Sequence, residues 1–497
     1  MEKHILIIGA GIAGLAAGVY ARLNGFRATI FELHDLPGGL CTAWERKGYI
    51  FDGCIHYLFG SGEGQPFNQM WHELGAVQNR PMINHDEYQR ITDGEHTLTV
   101  FTDPDKLHAH MADLSPDDEP LIRQFCEGVR QFTEFDMSAM YQKPKMLMNA
   151  AEWGELGLKM LPYLGAVTKW GMLSAGEFAA RFKHPFLQRA ISQMFSWEEA
   201  PVMMGMSLLA YMQTGNAGFP VGGSLEFARA IERRFLELGG EIRYKAQVEK
   251  IIVEEDCAVG VRLYNDEVHR GDYVISACDG RGTIFDMLGG AFADKRIRRM
   301  YDGHLSTHSM MQISLGVKRD LSAAPHWVTH LLDEPVLVAG EPRGEIGVKH
   351  YCFDPSLAPA GKSVVELIVR TNYAYWQRIY GRKLYDDEQR QVSGIMIDHL
   401  NRWMPGLKGE IEFVDEATPL SYERYTGNWM GSTCGWLMTK ETMPMLIQGL
   451  PKTLPGLKNF FMAGQWVEPG GSVPLAAASG RNAVQLVCAE EGVEFGG

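Results

Sequence analysis

The run FDGCIHYL, residues 51–58, gathers an acid, a thiol, an imidazole and a phenol in one short stretch. His56 is the group in it that can carry a proton near neutral pH, and Tyr57 stands beside it. Asp52 reads as a residue that fixes local backbone, and Cys54 as a small residue with no redox task. A neutral histidine bonded to backbone would fill the same place, so the run alone leaves proton transfer and packing both open. Metal binding fails on spacing, because no partner ligands stand at a metal-site interval from His56. His108 and His110 have no third ligand nearby and read as surface residues.

A second stretch with chemistry in it opens the chain. His4 to Ile8 is an apolar run fit for a buried parallel strand. Gly9, Gly11, Ala13 and Gly14 follow in GAGIAG, then the helix-like LAAGVYARLNG and the strand RATIFE, which ends in Glu32. In that context the first glycine permits a tight turn and the second lets the backbone approach a pyrophosphate. The third packs helix on strand, while the helix amides face the phosphates. Glu32, about twenty residues on, is placed to accept hydrogen bonds from ribose hydroxyls.

After Glu32 comes LHDLPGGLCTAWERKGYIFDGCIHYL, and here the sequence resembles the two-dinucleotide-binding-domain flavoproteins, whose GG…T segment is matched by Gly38, Gly39 and Thr42. More narrowly it resembles the phytoene desaturase, carotenoid isomerase and retinol saturase group; the saturase branch carries FDxGIHY where this chain has FDGCIHY. The likeness continues through FPVGGSLEFARAIERRF, YVISACDG, DPSLAPAG, ATPLSYERYTGNWMG and FFMAGQWVEPGGSVPLAAASG. It implies FAD as cofactor, with Gly38, Gly39 and Thr42 running past the diphosphate and the Val248 backbone pairing with adenine. Gly464, Gln465, Gly470, Gly471, Ser472 and Val473 would reach the ribityl chain and ring edge, and His56 and Tyr57 would lie beside the flavin. One departure is that GGSVPLAAASG lacks the GGGVPG run of carotenoid desaturases.

The elements that must position these residues lie far apart in the chain. The expected fold class is α/β with α+β elements: a discontinuous Rossmann-like FAD-binding domain with a substrate-domain sheet and a helical cap. Segments 1–80, 218–290 and 448–497 are assigned to the FAD domain, 81–125 and 291–447 to the substrate domain. Alternation in EYQRITDGEHTLTVF, SMMQISLGV and SVVELIV supports the second sheet. Segment 126–217 reads as the cap. It is rich in methionine, and lysines 143, 145, 159 and 169 stand among Trp153, Tyr163 and Trp170. That composition suits an interfacial helix, and equally an ordinary cap facing its own core.

The bulk composition narrows the function classes. Hydrophobic residues at 45% and charged residues at 22% fit a globular enzyme. A formal charge of −14 argues against a general nucleic-acid binder. Eight scattered cysteines without a CxxC pair read as reduced thiols. The opening apolar run has neither the basic start nor the cleavage site of a signal peptide. The expected location is cytoplasmic, with peripheral membrane contact as an open alternative.

Together these readings imply an FAD-dependent oxidoreductase acting on carbon–carbon bonds of a long apolar polyene or isoprenoid, of desaturase or saturase type. GSGEG, residues 60–64, lacks the strand that a second dinucleotide turn needs. Electrons would therefore pass to or from a quinone, oxygen or a reductase. A redox-neutral carotenoid isomerase, a flavin amine oxidase with Trp466 as one cage wall, and a non-catalytic FAD-binding protein are the alternatives.

Overall fold

The computed structural model describes residues 2–195 and 197–497. Five parallel strands lie in the order Glu241–Arg243, Arg27–Phe31, His4–Ile8, Tyr273–Ser276 and Phe460–Met462. The four strands other than the edge strand Glu241–Arg243 are largely buried on both faces, as strands of a covered parallel sheet are. Ile5, Ile7, Ile30 and Ile275 point to one side, where helices Ile12–Leu23, Gly223–Glu237 and Val473–Glu491 cover them. Leu6, Ile8, Phe31 and Val274 point to the other, against the antiparallel ribbon Val248–Glu254, Cys257–Leu263 and Val268–Arg270. The sheet thus draws strands from the start, the middle and the end of the chain.

The second sheet has seven strands, ordered Ile411–Ala417, Met310–Val317, Ser363–Arg370, Glu341–His350, Trp327–Val338, Glu87–Thr92 and Thr97–Phe101. Its pairings are antiparallel except that between Trp327–Val338 and Glu87–Thr92. Ile313, Leu315, Val348, Val365 and Leu367 line one face and pack under helices Tyr373–Gly381 and Tyr385–Trp403. The alternate residues on the other face include Gln312, Ser314, Lys349 and Glu366, all buried. That face meets the nucleotide domain, where the Gln312 side-chain amide donates to the Asp52 carbonyl at 3.0 Å.

A helical layer covers the far end of this sheet. Its core joins Phe125, Phe132, Phe178, Ile191, Met206 and Leu209. Helices Pro104–Leu114 and Glu119–Phe132 belong to this layer, alongside Pro185–Met194 and Val202–Gln213. The methionines divide between two environments: Met194, Met203 and Met206 are core, whereas Met146 and Met172 are exposed. Helix Ala150–Met160 has no buried residue, and Trp153, Leu158, Leu161 and Leu164 on and after it are exposed. Among the described residues, no helix is long and apolar enough to cross a membrane.

Candidate functional site

The glycine-rich turn takes its shape because side chains would not fit. Gly9 has a φ of +97° and donates its N–H to the Phe31 carbonyl at 2.8 Å. A Cβ on Gly14 would lie 1.9 Å from the Gly9 carbonyl oxygen. Gly11 caps the Ile12–Leu23 helix without a side-chain cap bond, and no acid stands in its first turn. The first helix amides are therefore left for an outside acceptor. Gly38 bridges Gly11 and donates to the Ala10 carbonyl at 2.8 Å, which brings Gly39 against the turn. The C-terminal segment joins from the other side. Gly464 donates to Ser479 Oγ at 2.6 Å, and a Cβ on it would meet Ala13 at 3.7 Å. Gln465 is held by its backbone against Gly435. The Gly470–Gly471 turn leads to Ser472, which caps the helix beginning at Val473, again with no side-chain cap bond or first-turn acid.

Glu32 ends its strand almost fully buried. Its carboxylate accepts from the Ala10 and His34 amides at 2.6 and 2.9 Å, while burial pushes its pKa up. Val248 packs in the same core as Leu6, Ile8 and Phe31 beside it. Glu32, Gly39, Thr42 and Gly53 line one cleft of about 850 Å³. Two uncapped helix starts, glycines admitting close approach and a buried acid suit a dinucleotide: amides for the diphosphate, Glu32 for ribose hydroxyls.

The FDGCIHYL loop is pinned by Asp52. Its carboxylate accepts from the Ser224 amide and hydroxyl, both at 2.6 Å, and from the Cys54 amide at 3.0 Å. Ser224 Oγ in turn accepts from the Ile55 amide at 2.7 Å. Beyond this knot, His56 and Tyr57 line a small cavity with His85, Tyr88, Met212, Phe219, His326, Trp327, Lys349, His350, Tyr351 and Phe353. His56 Nδ1 is buried without a hydrogen-bond partner. Burial pushes its imidazole well below the ordinary histidine range, and the nearby Lys349 charge adds to this. Burial, with the Cys434 thiol adding, pushes Tyr57 up to about 12. Cys434 also packs directly against Gly471, so the C-terminal glycine turn and Tyr57 share a neighbour.

Lys349 and Glu366 face each other across neighbouring strands. Burial drives both toward their neutral forms, Glu366 well up and Lys349 well down; Asp52 adds to the shift of Glu366 and opposes that of Lys349. Sequence reasoning missed both, although each left a signal: a charge inside an apolar strand, in IGVKHY and in SVVELIV. Trp466, read above as a cage wall, instead packs in the core with Tyr301, Trp429 and Trp436. The aromatic walls of the cavity come from Tyr57, Tyr88, Trp327, Phe219 and Phe353.

A discontinuous parallel sheet with a dinucleotide cradle, closed against a second sheet, defines a two-domain flavoprotein oxidoreductase. The chain belongs to the flavin-containing amine oxidoreductase family, which it matches over residues 12–488; it is an enzyme and its cofactor is FAD. Among curated proteins it is similar to chloroplastic prolycopene isomerase of Daucus carota, 25% identical over 99% of this chain and 81% of that one. It is also similar to lycopene-forming phytoene desaturase of a Paracoccus species, 22% identical over 98% of each chain. The 4,4'-diapophytoene desaturase of a Methylomonas species is 23% identical over 99% of this chain and 96% of its own. Among solved structures, an oxidoreductase from Methanosarcina mazei shares the fold, with a TM-score of 0.61 at 16% identity over 97% of this chain and 100% of that one. Putrescine-bound putrescine oxidase does so too, with a TM-score of 0.60 at 12% identity over 98% and 99%.

Proposed function

We propose that the enzyme acts on carbon–carbon bonds of a long apolar polyene or isoprenoid, in the manner of a desaturase. The observation that carries this reading is the end-to-end likeness to phytoene and diapophytoene desaturases, which spans the substrate sheet and cap as well as the nucleotide domain. The cavity supports it. Its lining holds aromatic rings, imidazoles, a thioether and a lysine but no carboxylate, so a protonated amine would find no counter-ion there.

Bound FAD supplies the hydride acceptor or donor. The chain's own residues hold the substrate, exclude water and handle the proton. In this reading His56 is the proton carrier: burial holds it neutral, and its Nδ1 has no other hydrogen-bond partner among the described residues. Tyr57 positions the chain of the substrate beside it. An external quinone, oxygen or reductase completes the electron balance. The exposed apolar stretch around Leu158, Leu161 and Leu164, with Lys143, Lys145, Lys159 and Lys169 about it, supports docking on a membrane surface from which such a substrate would enter.

A second reading, a redox-neutral cis–trans isomerase, is favoured by the carrot prolycopene isomerase match. The test is to incubate the holoenzyme in air with phytoene, prolycopene and putrescine separately and to resolve products by chromatography. New conjugated double bonds from phytoene are expected. Peroxide release with putrescine, with both polyenes unchanged, would overturn the proposal.

A further inference from the structure

The second sheet contains a row of side chains that its own packing does not require. Trp327, Lys349, Glu366 and Ser314 are paired in register across four adjacent strands and so share one face. The opposite face of the same strands carries Ile313, Leu315, Val348, Val365 and Leu367 together with His330 and His350. Burying a charge or a polar group costs free energy unless something compensates it, so a fully buried polar row under a cavity calls for a partner. Ser314 accepts from the Gln312 side-chain amide at 3.1 Å, but Lys349 and Glu366 find little compensation in the protein. Lys349 is 5% exposed, yet among the described residues no carboxylate comes within ion-pair distance of its Nζ, which lies 3.8 Å from the centre of the Trp327 ring. The Tyr351 hydroxyl lies near the Glu366 carboxyl, and among the described residues neither has a hydrogen-bond partner.

Lys349 and Tyr351 both line the cavity, whose free space of about 20 Å³ holds one or two water-sized groups. Donors from Lys349 and Tyr351 are the complement of an oxygen atom, not of a hydrocarbon tail. We infer that this cavity seats an oxygen-bearing end group of the polyene, a hydroxyl or a carboxylate, while Tyr57, Tyr88 and Trp327 pack on the carbons next to it. The inference rests on the polyene reading and narrows it: the preferred substrate is an oxygen-terminated isoprenoid, not a plain carotene.

The experiment uses purified holoenzyme and three C20 polyenes of one skeleton: retinoic acid, retinol and the hydrocarbon lacking the oxygen. Dissociation constants are read from quenching of tryptophan fluorescence, without turnover. The expected result is that the hydrocarbon binds at least about tenfold more weakly than one of the oxygenated forms. Preference for the acid identifies an ion pair with Lys349, and equal binding of acid and alcohol identifies hydrogen bonding alone. In Lys349→Met/Tyr351→Phe the preference falls to about twofold or less, while Lys349→Arg retains it for the acid. Equal affinity for all three ligands in the wild type, or an unchanged preference in the double variant, overturns the inference. If the double variant loses its flavin, the wild-type comparison decides by itself. A holoenzyme that desaturates carotenes without any end-group preference refutes the anchor and keeps the polyene reading. Failure to bind any polyene refutes both.

Discussion

At the scale of the residue, His56 combines position with protonation state. Burial keeps it neutral, and its unpartnered Nδ1 is buried at the edge of the cavity it lines. His56→Ala is expected to keep full flavin content and to lose activity on a polyene by about 10²-fold or more. Full activity at full flavin content would remove the proton role. Asp52 works differently, because three donors depend on its carboxylate. Asp52→Ala would strand the Ser224 and Cys54 amides in the interior, so its melting point should fall, with a loss of about 3 kcal/mol. A melting curve and a flavin-to-protein absorbance ratio distinguish this structural loss from the catalytic one in His56→Ala. Both residues stood out in the sequence, since one short motif holds them.

At the scale of the element, the nucleotide cradle was legible and the polar row was not. The cradle is local: strand, glycine turn, helix and acid follow within a few residues, and each glycine answers a steric demand of the nearby backbone. Lys349 and Glu366 meet only through strand register, which no local pattern specifies. The aromatic walls are drawn from segments near 57, 88, 219, 327 and 353 for the same reason. The cap draws on Pro104–Leu114 as well, because the apolar face of that helix joins the core of its successor. Helix Ala150–Met160 and the turn after it present exposed apolar side chains. Serine at Leu158, Leu161 and Leu164 is expected to lower flotation of the holoenzyme with anionic phospholipid vesicles by about fivefold, leaving flavin content intact. Equal flotation of variant and wild type would show that this element does not face a bilayer.

At the scale of the whole molecule, buried titratable groups tie stability to pH. His85 and His326 stack at 3.7 Å, and burial pushes them down to about 4 and about 3. Both are neutral in the native state, whereas the unfolded chain protonates them below about pH 6.5. Their contribution is therefore complete above that value and is lost as pH falls toward their native values. Asp279, pushed up to about 6 by burial, acts in the opposite sense, so the informative quantity is a difference between variants. The fall in melting temperature from pH 7 to pH 5 should be about 1–2 °C larger in the wild type than in His326→Gln. Parallel pH profiles would mean that the imidazole stack does not titrate with folding.

The most direct test of the central claim joins the flavin to the carbon–carbon bond. Oxidised holoenzyme is mixed anaerobically with phytoene, and the visible flavin absorbance is followed together with the absorption of the polyene. The account predicts bleaching of one flavin for each new double bond in conjugation. A flavin that stays oxidised with phytoene but is bleached by putrescine would contradict it.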